Sequence, residues 1–150
     1  MKPKIKLRQM QISDIPDVIK GEEEIFNESL GYDMLKSELT LNPYACYFVL
    51  EVDKKFGGYI STWVYEDRAE ILNFFVLKEY QGNGYGKMML ETFLDIVDMA
   101  NVPSVSLEVR ESNKRAITLY EKYGFVYSHS RKNYYKDGEN ALVYILEVKK

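Results

Sequence analysis

Apolar and polar residues follow two different periods along this chain, and each period predicts one type of element. Alternation with a period of two, or a short apolar run rich in β-branched and aromatic residues, predicts a strand. Polar turns at Asp53-Lys54-Lys55 and Glu66-Asp67-Arg68 separate three such runs, which should form an antiparallel meander. The predicted strands are residues 5–9, 45–52, 57–65, 69–77, 105–109, 125–131 and 141–148.

Other segments carry apolar residues at helical spacing. Ser13 is the expected N-cap of the first helix, with Pro16 in its first turn, and Asn113 is the expected N-cap of the last. Gly124 follows the last helix, where a left-handed residue commonly ends a helix. The predicted helices are residues 14–26, 34–41, 88–100 and 113–123. The element order β α α β β β α β α β β predicts an α+β fold whose sheet is mainly antiparallel, with one parallel step across the central helix.

A glycine-dense turn lies between the predicted strand that ends at Leu77 and the third predicted helix. Gly82, Gly84 and Gly86 lack a Cβ, so backbone N–H groups can approach a ligand, and the helix N-terminus adds partial positive charge. The turn is a candidate phosphate cradle, with an ordinary strand-to-helix turn as the alternative. Lys87 stands where a dinucleotide fingerprint has its third glycine, and no Ser or Thr follows it as a P-loop requires. Nucleoside triphosphates and dinucleotides are therefore disfavoured as ligands.

Composition and charge narrow the class of protein. The 150 residues are 46% hydrophobic, which suits one globular domain with a full core. The 20 basic and 23 acidic residues give a net charge of −3, so we expect no direct binding of nucleic acid. The single cysteine, Cys46, excludes an intramolecular disulfide. No segment reaches the roughly 20 apolar residues of a membrane span, and we expect a cytoplasmic protein that does not bind membranes.

Three motifs follow one another in the second half of the chain. They are EYQGNGYGKMML, which contains Gln81-x-x-Gly84-x-Gly86, then SLEVRESNKRAITLYEKYGF, and then RKNYY. This series resembles the GCN5-related N-acetyltransferases (GNAT). More narrowly it resembles the RimI family, which acetylates the N-terminal alanine of a small-subunit ribosomal protein. The resemblance covers roughly residues 70–144.

The resemblance implies a GNAT fold, a mostly antiparallel twisted sheet of about seven strands flanked by four helices. It implies one acyl-CoA N-acyltransferase domain over residues 1–150, with acetyl-CoA as co-substrate and no metal. The implied acceptor is a protein or peptide N-terminus, that of a ribosomal protein, and the implied assembly is a monomer or a weak dimer. Gly31-Tyr32-Asp33 departs from the Pro-Trp pair of many relatives, in a region that shapes the acceptor site. Within the same chemistry, a small amine or an internal lysine is the alternative acceptor.

Two residues of these motifs are the candidate catalytic groups. Glu108 lies between two apolar residues of a predicted strand, so its side chain points away from theirs. The resemblance makes Glu108 the general base, with a solvated carboxylate or an ion pair to Arg110 as alternatives. Tyr120 falls seven residues after Asn113, on the same helix face, and the resemblance makes it the general acid for the CoA thiolate, with core filling as the alternative. The alternative function of another class is a module that binds and senses acyl-CoA, or serves as a scaffold, without turnover. Such a module needs neither residue.

The resemblance also implies which residues hold the two substrates. The strand before the glycine turn pairs its backbone with the pantetheine arm, the turn binds the pyrophosphate, and the last helix cap contacts the cofactor. A bulge on that strand, near Asn73, would open the slot between strands. The implied cofactor-binding residues are Phe74, Phe75, Val76, Gln81, Gly82, Asn83, Gly84, Tyr85, Gly86, Lys87 and Asn113. The implied acceptor-binding residues are Arg131, Asn133, Tyr134 and Tyr135, with an ordinary polar turn as the alternative.

For an acidic run, a lone histidine and the single cysteine, a structural explanation is preferred to a functional one. The run Glu22-Glu23-Glu24 is typical of a solvated helix face, and the alternative is that it attracts a basic acceptor N-terminus together with Glu28. His129 stands alone in the sequence and is better explained as structural. Cys46, at a predicted strand start, is more typical of a buried small hydrophobe than of an acyl-carrying nucleophile. We therefore expect direct attack by the amine in a ternary complex.

Overall fold

The computed structural model describes residues 2–148, and its elements follow the order that the sequence predicts. The strands are β1 (Ile5–Gln9), β2 (Ala45–Val52), β3 (Lys55–Val64), β4 (Ala69–Val76), β5 (Ser104–Arg110), β6 (Val126–Arg131) and β7 (Ala141–Glu147). The helices are α1 (Ile15–Phe26), α2 (Tyr32–Leu41), α3 (Tyr85–Met99) and α4 (Lys114–Lys122). None of the helices in residues 2–148 has the length and apolar content that a membrane span needs.

The strands form one seven-stranded sheet in the order β1-β2-β3-β4-β5-β7-β6. Every neighbouring pair is antiparallel except β4 and β5, which run parallel because α3 crosses between them. The predicted α+β fold, with a mainly antiparallel sheet and one parallel step, is therefore confirmed. β7 lies between β5 and the edge strand β6 and is antiparallel to both.

β4 leaves β5 part of the way along its length. The two strands pair only over Ala69–Ile71 of β4. On its other side, two consecutive residues of β3 pair with Ile71 and Asn73, so Leu72 has no partner. This bulge lies one residue before the position suggested by the sequence, and it accompanies a gap between β4 and β5.

Two helices cover each face of the sheet, and each face has its own core. On the face of α1 and α2 the buried residues include Ile15, Val18, Leu35, Tyr47, Tyr59 and Phe75. On the face of α3 and α4 they include Ile71, Leu90, Phe93, Leu107, Val109 and Tyr120. Gly21 lets α1 approach the sheet closely, since a Cβ there would lie 2.5 Å from Phe75 Cζ.

The first helix begins differently from the prediction. Ser13, the expected N-cap, lies inside a 3₁₀ turn, and α1 begins after Asp14. The Asp14 carboxylate accepts a 2.7 Å hydrogen bond from the Gln11 amide and forms two 2.8 Å bonds with the guanidinium of Arg8. Arg8 also donates to Glu51 Oε2 at 2.6 Å. The prediction was wrong because the partner that holds Asp14 comes from β1, which local capping rules do not consider.

Both ends of α4 agree with the prediction. Asn113 Oδ1 accepts from the Ala116 amide at 3.2 Å, as an N-cap does. Gly124 has a φ of +93°, and the following residue, Phe125, packs on Tyr120 with ring centroids 5.6 Å apart. These contacts fix the position of the Tyr120 ring relative to the sheet.

Candidate active site

A cavity of about 850 Å³ lies at the gap between β4 and β5, and both faces of the sheet contribute to its walls. From the face of α1 and α2 its walls include Glu22, Glu28, Leu30, Glu38, Trp63 and Glu108. From the face of α3 and α4 they include Leu107, Asn113, Ala116 and Tyr120. Because the cavity joins the two faces, two ligands that approach from opposite sides of the sheet can meet in it.

Glu108 faces this cavity from β5. The strand alternates, with Leu107 and Val109 buried in the core beneath α3 and α4, so Glu108 points to the opposite face. Its Oε2 lies 2.9 Å from Arg131 Nε, and this buried oxygen accepts no well-formed hydrogen bond from the described residues. The alternative ion pair with Arg110 does not form within residues 2–148, because Arg110 pairs with other carboxylates. Glu108 therefore has an oxygen available to accept a proton.

Tyr120 reaches the cavity from α4, on the other face of the sheet. Its side chain is buried between Phe74 and Phe125, with ring centroids 6.4 Å and 5.6 Å away. Burial raises the pKa of Tyr120 above its ordinary value of 10.0, so the hydroxyl keeps its proton at neutral pH. Core filling and a place at the site are compatible, because the ring packs in the core while the residue also lines the cavity.

The glycine turn presents a row of unpaired backbone amides at the start of α3. Gly82 and Gly84 have φ angles of +86° and +80°, and a Cβ at either position would meet no atom within 4 Å. No acceptor in the described part of the chain bonds to the amides of residues 82–87, and the helical ladder begins when Met88 donates to Gly84 O. Such a row of N–H groups at the N-terminus of a 15-residue helix fits a pyrophosphate.

Side chains within this turn hold its shape. Gln81 donates to the Val76 carbonyl at 2.9 Å and accepts from Arg115 Nη1 at 2.8 Å. Asn83 donates to a backbone carbonyl three residues earlier, at 2.9 Å. Lys87 is exposed and has no ion-pair partner in residues 2–148, so its charge can meet an anion. Arg115, which was not predicted from the sequence, brings a second cation from α4 to the turn.

The strand segment after the bulge has a free edge. Phe74 lines the cavity and Phe75 is buried beneath α1, while Val76 ends the strand. Within the described residues, β4 pairs with no strand on its β5 side beyond Ile71. Backbone groups on this edge are therefore open to an extended ligand that adds like a strand.

Three of the four predicted acceptor residues line the cavity, namely Arg131, Tyr134 and Tyr135. Burial raises the pKa of Tyr135 to about 12, so its hydroxyl is neutral at physiological pH. Asn133 instead adopts a left-handed conformation with a φ of +53°, and its amide donates to Asn140 Oδ1 at 3.0 Å. It shapes the β6–β7 loop and lies outside the cavity wall.

Arg110 joins two loops on the face of α1 and α2, a role that was not predicted from the sequence. Its guanidinium lies 3.6 Å from Glu28 in the α1–α2 loop, and 3.0 Å and 2.9 Å from Asp137 and Glu139 in the β6–β7 loop. It also stacks on Tyr135, 4.0 Å from the ring centroid. A signal was available, because Arg110 lies two residues beyond the candidate base and must share its face of β5.

A second carboxylate marks the end of the cavity beneath α2. Glu38 Oε1 accepts from the Tyr47 hydroxyl at 2.7 Å and from Trp63 Nε1 at 2.5 Å. All three residues line the cavity, and no motif pointed to them. Their contacts connect α2 to β2 and β3, and they depend on how α2 packs on the sheet, which local spacing does not predict.

The predicted solvated face over Glu22-Glu23-Glu24 is wrong for its first residue. Glu22 is 0% exposed, whereas its two acidic neighbours are exposed. Its Oε2 accepts from the Tyr59 hydroxyl at 2.7 Å and from Asn73 Nδ2 at 2.9 Å. The prediction failed because the run was treated as one unit, although Glu22 lies four residues after Val18 on the apolar stripe of α1.

Cys46 and His129, the other two residues considered from the sequence, do not line the cavity. Burial raises the pKa of the Cys46 thiol, which disfavours the thiolate that a nucleophile needs. His129 is exposed on β6, with Nδ1 3.0 Å from Ser128 Oγ. Neither residue is placed to react with a ligand in the cavity.

Comparison with known proteins identifies the family. Residues 11–125 match the model of the acetyltransferase (GNAT) family. A Bacillus subtilis protein, provisionally named a ribosomal protein bS18-alanine N-acetyltransferase, is 38% identical over 144 residues, which cover 95% of each chain. The crystal structure of the ribosomal-protein-S18-alanine N-acetyltransferase from Escherichia coli matches with a TM-score of 0.89 at 29% identity, over 98% of this chain and 96% of that one.

A further solved structure, Ard1 from Thermoplasma volcanium, also matches with a TM-score of 0.89 at 29% identity. The match covers 97% of this chain and 99% of that one, so the whole arrangement of strands and helices is shared. The predicted GNAT fold and the resemblance to RimI are thereby confirmed. The family model spans the glycine turn, Glu108 and Tyr120, and the chain belongs to the acetyltransferase (GNAT) family.

Proposed function

We propose that this protein transfers the acetyl group of acetyl-CoA to the N-terminal α-amine of a protein, and that the acceptor is a small-subunit ribosomal protein that begins with alanine. The observation that carries the proposal is the cavity at the β4–β5 gap, which Glu108 lines from one face and Tyr120 from the other. The names of the Bacillus subtilis and Escherichia coli relatives support the choice of acceptor. Residues 1–150 would act as a single acyl-CoA N-acyltransferase domain, in the cytoplasm where ribosomal proteins are made.

Acetyl-CoA would be held from the face of α3 and α4. The unpaired amides of residues 82–87 are donors for the pyrophosphate, and Lys87 and Arg115 add positive charge nearby. The free edge of β4 at 74–76 offers backbone groups to the pantetheine arm. Asn113 lines the cavity while its side chain caps α4, so it can serve both roles.

The acceptor would enter from the face of α1 and α2. Five glutamates and three basic residues line the cavity, so its walls carry net negative charge that favours an ammonium group. Arg131, Tyr134 and Tyr135 form one side wall, and Asn133 shapes the loop that carries them. The tyrosines give rigid contact area to a peptide chain.

Proton transfer would be divided between the two faces of the sheet. The α-ammonium must lose a proton before it can attack, and Glu108 accepts that proton at a carboxylate oxygen, directly or through water. Acetyl-CoA supplies an activated thioester, so a C–N bond forms and the C–S bond breaks. Tyr120 gives its hydroxyl proton to the departing thiolate sulfur. The second proton of the attacking nitrogen passes to solvent, and solvent reprotonates Tyr120. No covalent enzyme intermediate is needed, in keeping with the position of Cys46 outside the cavity.

Initial rates of CoA release test the proposal. The acceptors are a short peptide with a free N-terminal alanine and no lysine, the same peptide formylated and carrying one lysine, and the polyamine spermidine. We expect saturable turnover with the first alone, and slower turnover when the first residue is replaced by a bulky one. Turnover with the lysine peptide or spermidine alone would contradict the acceptor assignment. Binding of acetyl-CoA by calorimetry with no turnover of any acceptor would favour a sensor instead.

A further inference from the structure

The carboxylate of Glu22 bridges two parts of the acceptor face. Its Oε1 faces the α1–α2 loop, where the Ser29 hydroxyl donates at 2.7 Å and the Leu30 amide at 3.3 Å. Its Oε2 faces the sheet, where the Tyr59 hydroxyl donates at 2.7 Å and Asn73 Nδ2 at 2.9 Å. Burying a carboxylate costs free energy unless hydrogen-bond donors surround it. The four donors therefore offset the cost of burying Glu22.

Both ends of this network shape the cavity. Asn73 follows the unpaired bulge residue Leu72, and its backbone N–H donates to Ser61 Oγ at 3.0 Å. Hydrogen bonds therefore hold both the main chain and the side chain of Asn73. In the loop, Ser29 Oγ also accepts from the Gly31 amide at 3.1 Å, so the start of α2 depends on the same hydroxyl. The members that line the cavity are Glu22, Ser29, Leu30, Leu72 and Asn73.

We propose that Glu22 is a positioning residue of the acceptor site, which holds the α1–α2 loop against the β4 bulge and thereby fixes the width of the slot for the acceptor N-terminus. The inference rests on the proposed function, since it assigns a role in acceptor binding. Glu22 takes no part in proton transfer, because four donors occupy its two oxygens. Loss of the network should weaken acceptor binding and change acetyl-CoA binding little, because the glycine turn belongs to the other face.

Variants of Ser29 test the loop side of the network. Ser29→Ala removes the hydroxyl that joins Glu22 to the loop, and we expect the KM for an alanine-first peptide to rise about three- to tenfold. Ser29→Thr keeps a hydroxyl, so its KM should stay within about twofold of wild type. The Kd for acetyl-CoA should be unchanged in both. Glu23→Gln is the matched control, because Glu23 is an exposed carboxylate on the same helix.

Variants of Asn73 test the sheet side. Asn73→Asp places a second carboxylate beside Glu22 Oε2, and repulsion between like charges should raise the acceptor KM about tenfold or more. Adding Glu22→Gln supplies an amide donor to the new carboxylate, so the double variant should return to within about threefold of wild type. Glu22→Gln alone needs only a rotation of the Asn73 amide to keep a hydrogen bond, and its KM should change less than that of Asn73→Asp.

The outcomes separate this inference from the proposed function. A rise in acceptor KM that Ser29→Thr avoids and the double variant reverses would support the inference. Unchanged acceptor KM in both Ser29→Ala and Asn73→Asp, with an active wild type, would overturn it and leave the proposed function standing. A loss of melting temperature or active fraction alone would also overturn it, since a purely structural role does not move KM. A wild type that acetylates no peptide would overturn the proposed function and this inference together.

Discussion

The Oε2 atom of Glu108 lies 2.9 Å from Nε of Arg131, so a residue of the edge strand β6 orients the proposed base on β5. The two residues face each other across β7, where Val143 pairs with Glu108. Arg131 has a side chain that is 52% exposed, so solvent and salt screen the pair. Pairs of this kind contribute about 0.2–1 kcal/mol, which corresponds at most to about a fivefold change in an equilibrium or a rate.

Replacement of Arg131 should therefore have a modest effect. We expect Arg131→Gln to lower kcat/KM for the peptide about two- to fivefold, because Glu108 loses its orienting partner and the cavity loses part of one wall. Lys132→Gln is the control, since Lys132 is exposed and outside the cavity lining. Steady-state rates of both variants are the measurement, and a loss in kcat/KM as large as that of Glu108→Gln would contradict the weak, screened contribution assigned to this pair.

Glu108→Gln should lower kcat about ten- to a thousandfold, because the amide cannot accept the proton of the amine. The Kd for acetyl-CoA should stay at the wild-type value, since Glu108 faces away from the glycine turn. Glu111→Gln, which changes an exposed carboxylate just beyond the same strand, should leave kcat unchanged. A wild-type rate in Glu108→Gln would remove the assigned role.

Tyr120→Phe should also lower kcat about ten- to a thousandfold, because it removes the proposed donor to the thiolate and keeps the buried ring. Tyr123→Phe is the control, because Tyr123 is the C-cap residue just after α4 and its hydroxyl donates to Glu91 away from the cavity. Burial raises the pKa of Tyr120 above 10.0, so the hydroxyl keeps its proton and kcat should not decline between about pH 8 and 10. A decline in this range that Tyr120→Phe abolishes would contradict the assignment.

Gly84→Ala should weaken acetyl-CoA binding about tenfold, because a left-handed conformation costs a residue with a Cβ about 1–2 kcal/mol. Gly138 offers a matched control in the β6–β7 loop, since its φ of +87° and the free space around it resemble those of Gly84. Gly138→Ala should cost similar stability and leave the Kd for acetyl-CoA unchanged. Calorimetric titration measures the Kd for acetyl-CoA of both variants. The same Kd in Gly84→Ala and Gly138→Ala would contradict the assignment of the turn to the cofactor site.

The Arg8–Asp14 pair should make stability depend on acid pH. Hydrogen bonds from Arg8 hold the pKa of Asp14 below its ordinary value of 3.8. A carboxyl whose pKa is lower in the folded state stabilises the fold at pH values above its pKa in the unfolded state. This stabilisation is lost as the pH falls through its pKa in the folded state. Asp14→Asn should lower the free energy of unfolding by about 1–3 kcal/mol at pH 7, with a smaller difference below pH 3.8.

Urea unfolding at several pH values measures this difference. Asp17→Asn, which changes an exposed carboxylate on the same helix, should show little change at any pH. A difference between wild type and Asp14→Asn that stays constant down to pH 3 would mean that Asp14 acts through something other than its charge.

Local pattern was enough to predict the elements and part of the site. Asn113 and Gly124 could be identified as the ends of α4 because capping depends on residues close in sequence. Strand alternation likewise predicted which way Glu108 points. Glu22 and Arg110 were missed because their partners come from distant segments, and their burial or pairing depends on how α1 and the β6–β7 loop meet the sheet. Ser13 was misassigned for the same reason.

The most direct test of the account uses one peptide that carries both a free N-terminal alanine and an internal lysine. After limited turnover, tandem mass spectrometry locates the acetyl group, with the Glu108→Gln variant as a parallel reaction. We expect the wild type to acetylate the α-amine alone and the variant to give a trace of the same product. Acetyl found on the lysine would contradict N-terminal acetylation as the function of this cavity.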